Sequence, residues 1–270
     1  MNNQPIIPQV WRASALRRAC AASLRHVCAL ALAALAVFAF DGAGGGVAFA
    51  QKRFTERYPT RKNVRLQLNN RSGTITVEAW DKSEIKVVVE MESPSARVTP
   101  EVNDDGVLID VVRDNRGRPD VGDVNFRIWV PVNTMVDLET KRGNITVRGV
   151  EGALMRAHVT SEGDIELTGI RSSAVVAENT MGNIVFDAEL VRSGTYELRS
   201  TQGDISIRIT ANSGFRLMGL GRDINLGPFG GMGNFRFFGE NRKVIGQVGE
   251  GGATLNVNNQ RGTITFMRRY

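Results

Sequence analysis

The sequence predicts an all-β fold, a β-solenoid or β-helix-like stack of two-strand repeats of about 20 residues. Three observations carry this expectation. A five-residue motif recurs in near-constant register along the chain. Apolar residues alternate with period two on both sides of each copy, the spacing of a half-buried strand. Glycine is abundant (29 residues) while aromatics make up only 7% of the chain, a mixture suited to short strands and tight turns.

From the N-terminus, residues 1–50 read as a signal peptide. Arg12, Arg17, Arg18 and Arg25 form a basic region, and Val27 to Phe40 is an unbroken apolar run of 14 residues. Asp41 to Gly46 ends the run, and Ala48-Phe49-Ala50 offers a small-x-small cleavage site before Gln51. The apolar run is shorter than the about 20 residues a spanning helix needs. The expected location is therefore outside the cytoplasm, in the periplasm or on the cell surface, with membrane contact only through this segment before cleavage. Its loss lowers Lys+Arg from 34 to 30 and Asp+Glu from 28 to 27, leaving a net charge of about +3 instead of +6. The remaining charges are interspersed, which argues against nucleic acid as a partner. Both cysteines, Cys20 and Cys28, lie in the segment, so the mature chain has no disulfide and no thiolate metal site.

Residues 51–62 read as a flexible basic leader, and 63–270 as the β-strand-repeat domain. The first motif copy is Gly73-Thr74-Ile75-Thr76-Val77. Between it and the second, Glu84 to Glu92, Gly106 to Arg113 and Asp123 to Val130 look like strands, with Asp114 to Asp120 a charged loop. The next copies begin at Gly143, Gly163, Gly182, Gly203, Arg222 and Gly262. Their steps are 20, 19, 21, 19 and 40 residues, and the doubled last step suggests a degenerate copy within Gly227 to Gly239. Every copy has Ile two places after its first residue. Seven and five places before it stand apolar pairs, from Leu66 and Leu68 to Phe215 and Leu217 and to Leu255 and Val257. Three places before it stand small residues: Asn70, Thr140, Thr160, Asn179, Ser200, Gly219 and Asn259. One copy breaks phase. Arg156 and His158 occupy the apolar positions before Gly163, and a one-residue bulge that turns Ala157 and Val159 inward accounts for it. A polar pocket around His158 is the alternative.

Asn69 to Val77 followed by Trp80, Ile128-Trp129-Val130-Pro131 leading to Val136 to Thr140, and the Gly-Asp-Ile copies carry a resemblance. The chain resembles the bacterial β-strand-repeat domains of unknown function often labelled adhesins, similar in style to the auto-transporter adhesin head (GIN) domains. The resemblance spans about 63–270. It implies a solenoid-like fold at the cell envelope and supplies no catalytic residues.

No chemical constellation stands out, so no catalytic, cofactor-binding or metal residue is assigned and no cofactor is implied. Asp164, Asp204 and Asp223 share one repeat position with Asn144 and Asn183. A calcium row is conceivable there, but turn capping explains these residues more simply. Glu162 with Asp164 is a carboxylate pair that a carbohydrate-active enzyme would need across a cleft. Gly227 to Gly233 lacks the Lys-Ser/Thr of a phosphate loop. Phe229, Phe235, Phe237 and Phe238 either cap the core or form an adhesive patch, and capping is the expectation. Thr263 to Tyr270 ends like a membrane-barrel strand but is flanked by strands too short for a barrel. The chain is thus expected to be a non-enzymatic adhesin or envelope-binding module. Its partner would be an unknown envelope protein, a glycan or another copy of itself. A self-assembling scaffold and a β-helix enzyme are the alternatives.

Overall fold

A computed structural model describes residues 52–60 and 63–269; the segment read as a signal peptide lies outside the described residues, as does Tyr270. In chain order the first strands are β1 (Lys52–Pro59), β2 (Arg65–Ser72), β3 (Ile75–Trp80), β4 (Glu84–Met91), β5 (Glu101–Asn103) and β6 (Gly106–Asp110). A one-turn helix, α1 (Val111–Asp114), leads to β7 (Val124–Pro131). The regular repeats follow as β8 (Met135–Arg142) and β9 (Ile145–Arg148), β10 (Leu154–Glu162) and β11 (Ile165–Ile170), β12 (Ala174–Met181) and β13 (Ile184–Ala188), then β14 (Thr195–Gln202) and β15 (Ile205–Thr210). The last strands are β16 (Phe215–Leu220), β17 (Asp223–Asn225), β18 (Gly233–Phe238), β19 (Lys243–Val248), β20 (Ala253–Asn259) and β21 (Thr263–Arg269).

The fold is all-β, with two large sheets that face each other and do not close into a barrel. One sheet has the order β1-β4-β7-β3-β9-β11-β13-β15-β21-β17, and the other β18-β19-β16-β20-β14-β12-β10-β8-β2-β6-β5. Each repeat gives its first strand to the second sheet and its second strand to the first. Successive repeats pair in parallel, in register: Ile145, Ile165, Ile184, Ile205 and Ile264 form one continuous row. The facing row runs Leu66, Val136, Met155, Val175, Tyr196, Leu255 and Leu217. All of these side chains are buried. Neither row could bury itself in one repeat; stacking makes the core continuous.

The bulge expected before Gly163 is present. The β10 register shifts between Val159 and Glu162, which places Met155, Ala157 and Val159 inward beside Val136, Leu138 and Thr140. His158 consequently stands on the outer face.

Three sequence expectations need correction. Residues 52–59 are not a flexible leader; they form β1, antiparallel to β4, with Phe54 and Tyr58 packed against the core. Those two apolar anchors hold the strand, and the charges around them face water. The 40-residue step hides no degenerate copy. Gly227–Phe229 is a single 3-10 turn, and β18 and β19 form an antiparallel hairpin. The final repeat, β20 and β21, doubles back and inserts between the β14/β15 repeat and the β16/β17 repeat. Lastly, the pair standing before Arg222 is misaligned by two residues. Leu217 rather than Phe215 sits beside Leu255, while Ile224 still sits beside Ile264, so this corner is two residues shorter. A repeat missed by the motif lies at the other end, where β6 and β7 flank β2 and β3.

Candidate functional site

The corner between the two strands of each repeat concentrates the recurring residues. Gly143 and Gly163 show why glycine recurs. Both have positive φ (+112° and +152°), and a Cβ on Gly163 would lie 2.2 Å from the Gly143 carbonyl oxygen. The same close approach relates Gly182 to Gly163, Gly203 to Gly182 and Gly262 to Gly203. Val124 can occupy this position at the end of the column because no parallel repeat lies beyond it.

The residue after each glycine joins its neighbour by a side-chain ladder. Asn144 Oδ1 accepts from the Asp164 backbone N–H (2.9 Å), and Asp164 Oδ1 accepts from Asn183 (2.7 Å). Asn183 Oδ1 accepts from Asp204 (2.9 Å), and Asp204 Oδ1 from Thr263 (2.8 Å). At the first end Asn125 Oδ1 accepts from Thr74 (2.8 Å). A second, buried ladder lies inside the corner. The amides of Asn70, Asn179 and Asn259 donate to the carbonyls of Val124, Gly163 and Gly203. These bonds satisfy backbone groups that the strand ladders leave over at the corner.

The ladder decides the chemistry of this corner. Asp164 and Asp204 are separated by the Asn183 repeat, and Asp204 and Asp223 by the Thr263 repeat. Parallel strands lie about 4.8 Å apart, so acids two repeats apart are roughly 9–10 Å apart, too far to share one cation. Among the described residues no three His, Asp or Glu side chains cluster as metal ligands. Glu162 and Asp164 do line one polar groove of about 750 Å3 along the corner, with Asp123, Arg142 and Gln202. Asp164 accepts there from the Asn183 backbone N–H, the bond of a capping residue. His158 is half-buried on the outer face, its Nδ1 3.9 Å from Glu139 Oε2.

The phenylalanine cluster divides. Phe229 is fully buried and meets Phe215 and Phe266 at ring-centroid distances of 5.7 and 6.4 Å, closing the core. Phe235 is partly buried, whereas Phe237 and Phe238 are exposed.

A feature that sequence reasoning did not single out as a site lies on the outer face of the first sheet. Trp80 at the end of β3 and Trp129 in β7 stack with centroids 6.2 Å apart. Both are half-buried. Lys82 Nζ stands 4.9 Å from the Trp80 ring, and Lys86 Nζ 4.4 Å from the Trp129 ring. Arg127 stands 5.5 Å from the Trp129 ring and pairs with Glu78 (3.8 Å). The Trp80 indole N–H donates to the Glu84 carbonyl at 2.8 Å, which fixes that ring. The two tryptophans are 49 residues apart, and only the pairing of β3 with β7 brings them together.

No known family's sequence profile matches the chain, and no curated protein matches it. Among solved structures, it is similar to a proposed cell adhesion protein from Clostridium sporogenes. That match has a TM-score of 0.41 and 12% identity, over 81% of this chain and 100% of the other. It is also similar to a proposed adhesin from Bacteroides fragilis, with a TM-score of 0.30 and 13% identity over 80% and 97% of the two chains. A proposed lipid-binding protein from Parabacteroides distasonis gives a TM-score of 0.31 and 11% identity over 80% and 97%.

Proposed function

We propose that this chain is an exported, non-enzymatic binding module of adhesin type, a β-solenoid that presents a rigid outer surface to a ligand at the cell envelope. The Trp80–Trp129 pair carries this reading. The core is already filled from within, so two large aromatics outside it serve no interior packing role. Indoles with nearby arginine are the side chains that most often anchor binding surfaces. Flat rings with a rim of both charge signs, here Lys86, Arg127 and Glu78, suit a glycan. Sugar C–H faces can lie on the indoles while hydroxyls bond to the rim.

The mature chain offers a direct test, because its tryptophans are Trp80 and Trp129 alone; the third, Trp11, precedes residue 50. Intrinsic fluorescence of residues 51–270 titrated with an array of soluble glycans should show a saturable shift that Trp129→Ala abolishes. If no glycan moves the spectrum, or the variant responds as the parent does, this surface is not the binding site. For location, protease treatment of intact cells should remove a C-terminal tag while a periplasmic control survives. Survival of the tag until the outer layer is permeabilised would move the module to the periplasm.

A further inference from the structure

On the outer face of the first sheet, one stretch of cross-strand pairing leaves a gap. Along β4 the core takes Ile85, Val87 and Val89, so Lys86, Val88 and Glu90 point outward. β7 sets Trp129, Arg127 and Asn125 beside them, and β1 sets Arg57, Thr55 and Arg53 on the other side. Val88 is thus a short apolar residue ringed mostly by longer side chains. It faces outward and is still only 6% exposed. The gap above it is a pocket of about 280 Å3, walled by Trp129, Lys86, Arg127, Arg53 and Glu90.

The charges of this pocket do not cancel. Arg53 meets Glu90 at 3.4 Å, and Arg127 reaches Glu78 at 3.8 Å. Arg57, opposite Lys86 on β1, turns to Glu84 at 2.6 Å. Lys86 is left over. Its Nζ stands 4.4 Å from the Trp129 ring centroid, and among the described residues it makes no ion pair. Thr55 and Thr76 also line the pocket, and their hydroxyls bond to no protein group among the described residues.

The pocket therefore combines an apolar floor, an aromatic wall, free hydroxyls and one uncompensated cation. We propose that it binds a sugar unit bearing an anionic group, either a uronic-acid carboxylate or a sulfate ester. This rests on the glycan reading of the Trp80–Trp129 surface and adds the charge class of the ligand. Lys86 donates to the anion, a charge-assisted hydrogen bond of the strong kind. The C–H face of the sugar lies on Trp129 and Val88, and Thr55 and Thr76 take sugar hydroxyls. The volume is at the small end for ligand pockets, which suits a single sugar unit. The position of Lys86 is what separates acidic from neutral sugars. A neutral sugar that stacks where the ammonium stands displaces it from the ring and gives it no charged partner in return. An acidic sugar offers that ammonium an anion as it takes its place on the ring.

Matched oligosaccharides separate the charge from the sugar. Fluorescently labelled trigalacturonate and its methyl ester differ only at the carboxylates. A labelled galactose trisaccharide and its sulfate ester form the second pair. Anisotropy titrations of the full chain should show the acidic member of one pair binding roughly tenfold more tightly than the neutral member, and which pair does so identifies the anion. Lys86→Gln should abolish that preference and leave the affinity for the neutral member unchanged, and Lys86→Arg should restore it. Arg192→Gln removes the same charge from the exposed loop before β14. It should bind as wild type does, which distinguishes a site from general attraction to a basic chain. Equal affinities within both pairs, lost in Trp129→Ala, overturn the acidic class and leave the glycan reading standing. A preference that Lys86→Gln retains, or that Arg192→Gln weakens equally, overturns this pocket as its source. If none of the four binds, the proposal falls, and the glycan reading falls with it only when the wider glycan array is silent too.

Discussion

Tyr196 heads the large side chains that the core encloses completely. Its hydroxyl donates to the Ser172 carbonyl (3.1 Å) and accepts from the Val191 N–H (2.7 Å), tying two loops to the interior. Replacing it by phenylalanine leaves both backbone groups without that partner and should cost about 1–3 kcal/mol. Burial raises the phenol's pKa above its ordinary 10.0, partly offset by the Val191 hydrogen bond. The folded state therefore keeps the neutral phenol while the unfolded chain ionises first. The stabilisation is whole below about pH 10 and is lost as pH rises through the raised folded value. Urea midpoints at pH 7 and pH 11 should show wild type and Tyr196→Phe converging at the higher pH; a gap that stays constant would refute the account. Position by position, the inward column containing Tyr196 was legible because its spacing repeats. The partners of its hydroxyl were not, since Ser172 and Val191 lie in loops where no periodicity operates.

At the scale of the element, the two corner ladders turn a local turn preference into a link between repeats. Each Asp or Asn caps the neighbouring repeat, so its contribution is to register as well as to the turn. Asp164→Asn keeps the acceptor oxygen and should leave stability close to wild type. Asp164→Ala removes it and should cost about 0.5–1.5 kcal/mol by thermal or urea unfolding. A midpoint that rises with calcium and loses that rise in Asp164→Asn would instead restore the metal row. The bulge in β10 could be read in advance because the polar pair Arg156 and His158 fell where apolar residues belong. The outer tryptophan pair could not, because its geometry depends on β7 pairing beside β3 rather than in chain order. Nor could the split fate of the phenylalanines. Alternation alone does not say that β18 lies at the sheet's free edge, beyond the core.

For the whole molecule, the repeat order in space departs from chain order at both ends. The β6/β7 repeat lies outside β2/β3, and the β16/β17 repeat lies outside β20/β21. A motif search assigns consecutive places to consecutive copies, which is why the 40-residue step looked like a lost repeat. Deleting residues 253–270 should therefore do more than shorten the stack. It removes an interior layer and separates β16 from β14. Hydrogen exchange should show the amides of 215–248 losing protection while those of 135–188 keep most of theirs. Protection lost evenly across the domain would mean that the stack behaves as one cooperative unit.

The inserted last repeat also sets a clock. Strands β14 and β15 must wait for residues made more than 50 positions later before their second neighbours exist, with Ser200 beside Asn259 and Ile205 beside Ile264. Pairings so distant in sequence form slowly. The layers from β14 onward cannot close until residues 253–269 have been made and have reached their places between strands laid down earlier.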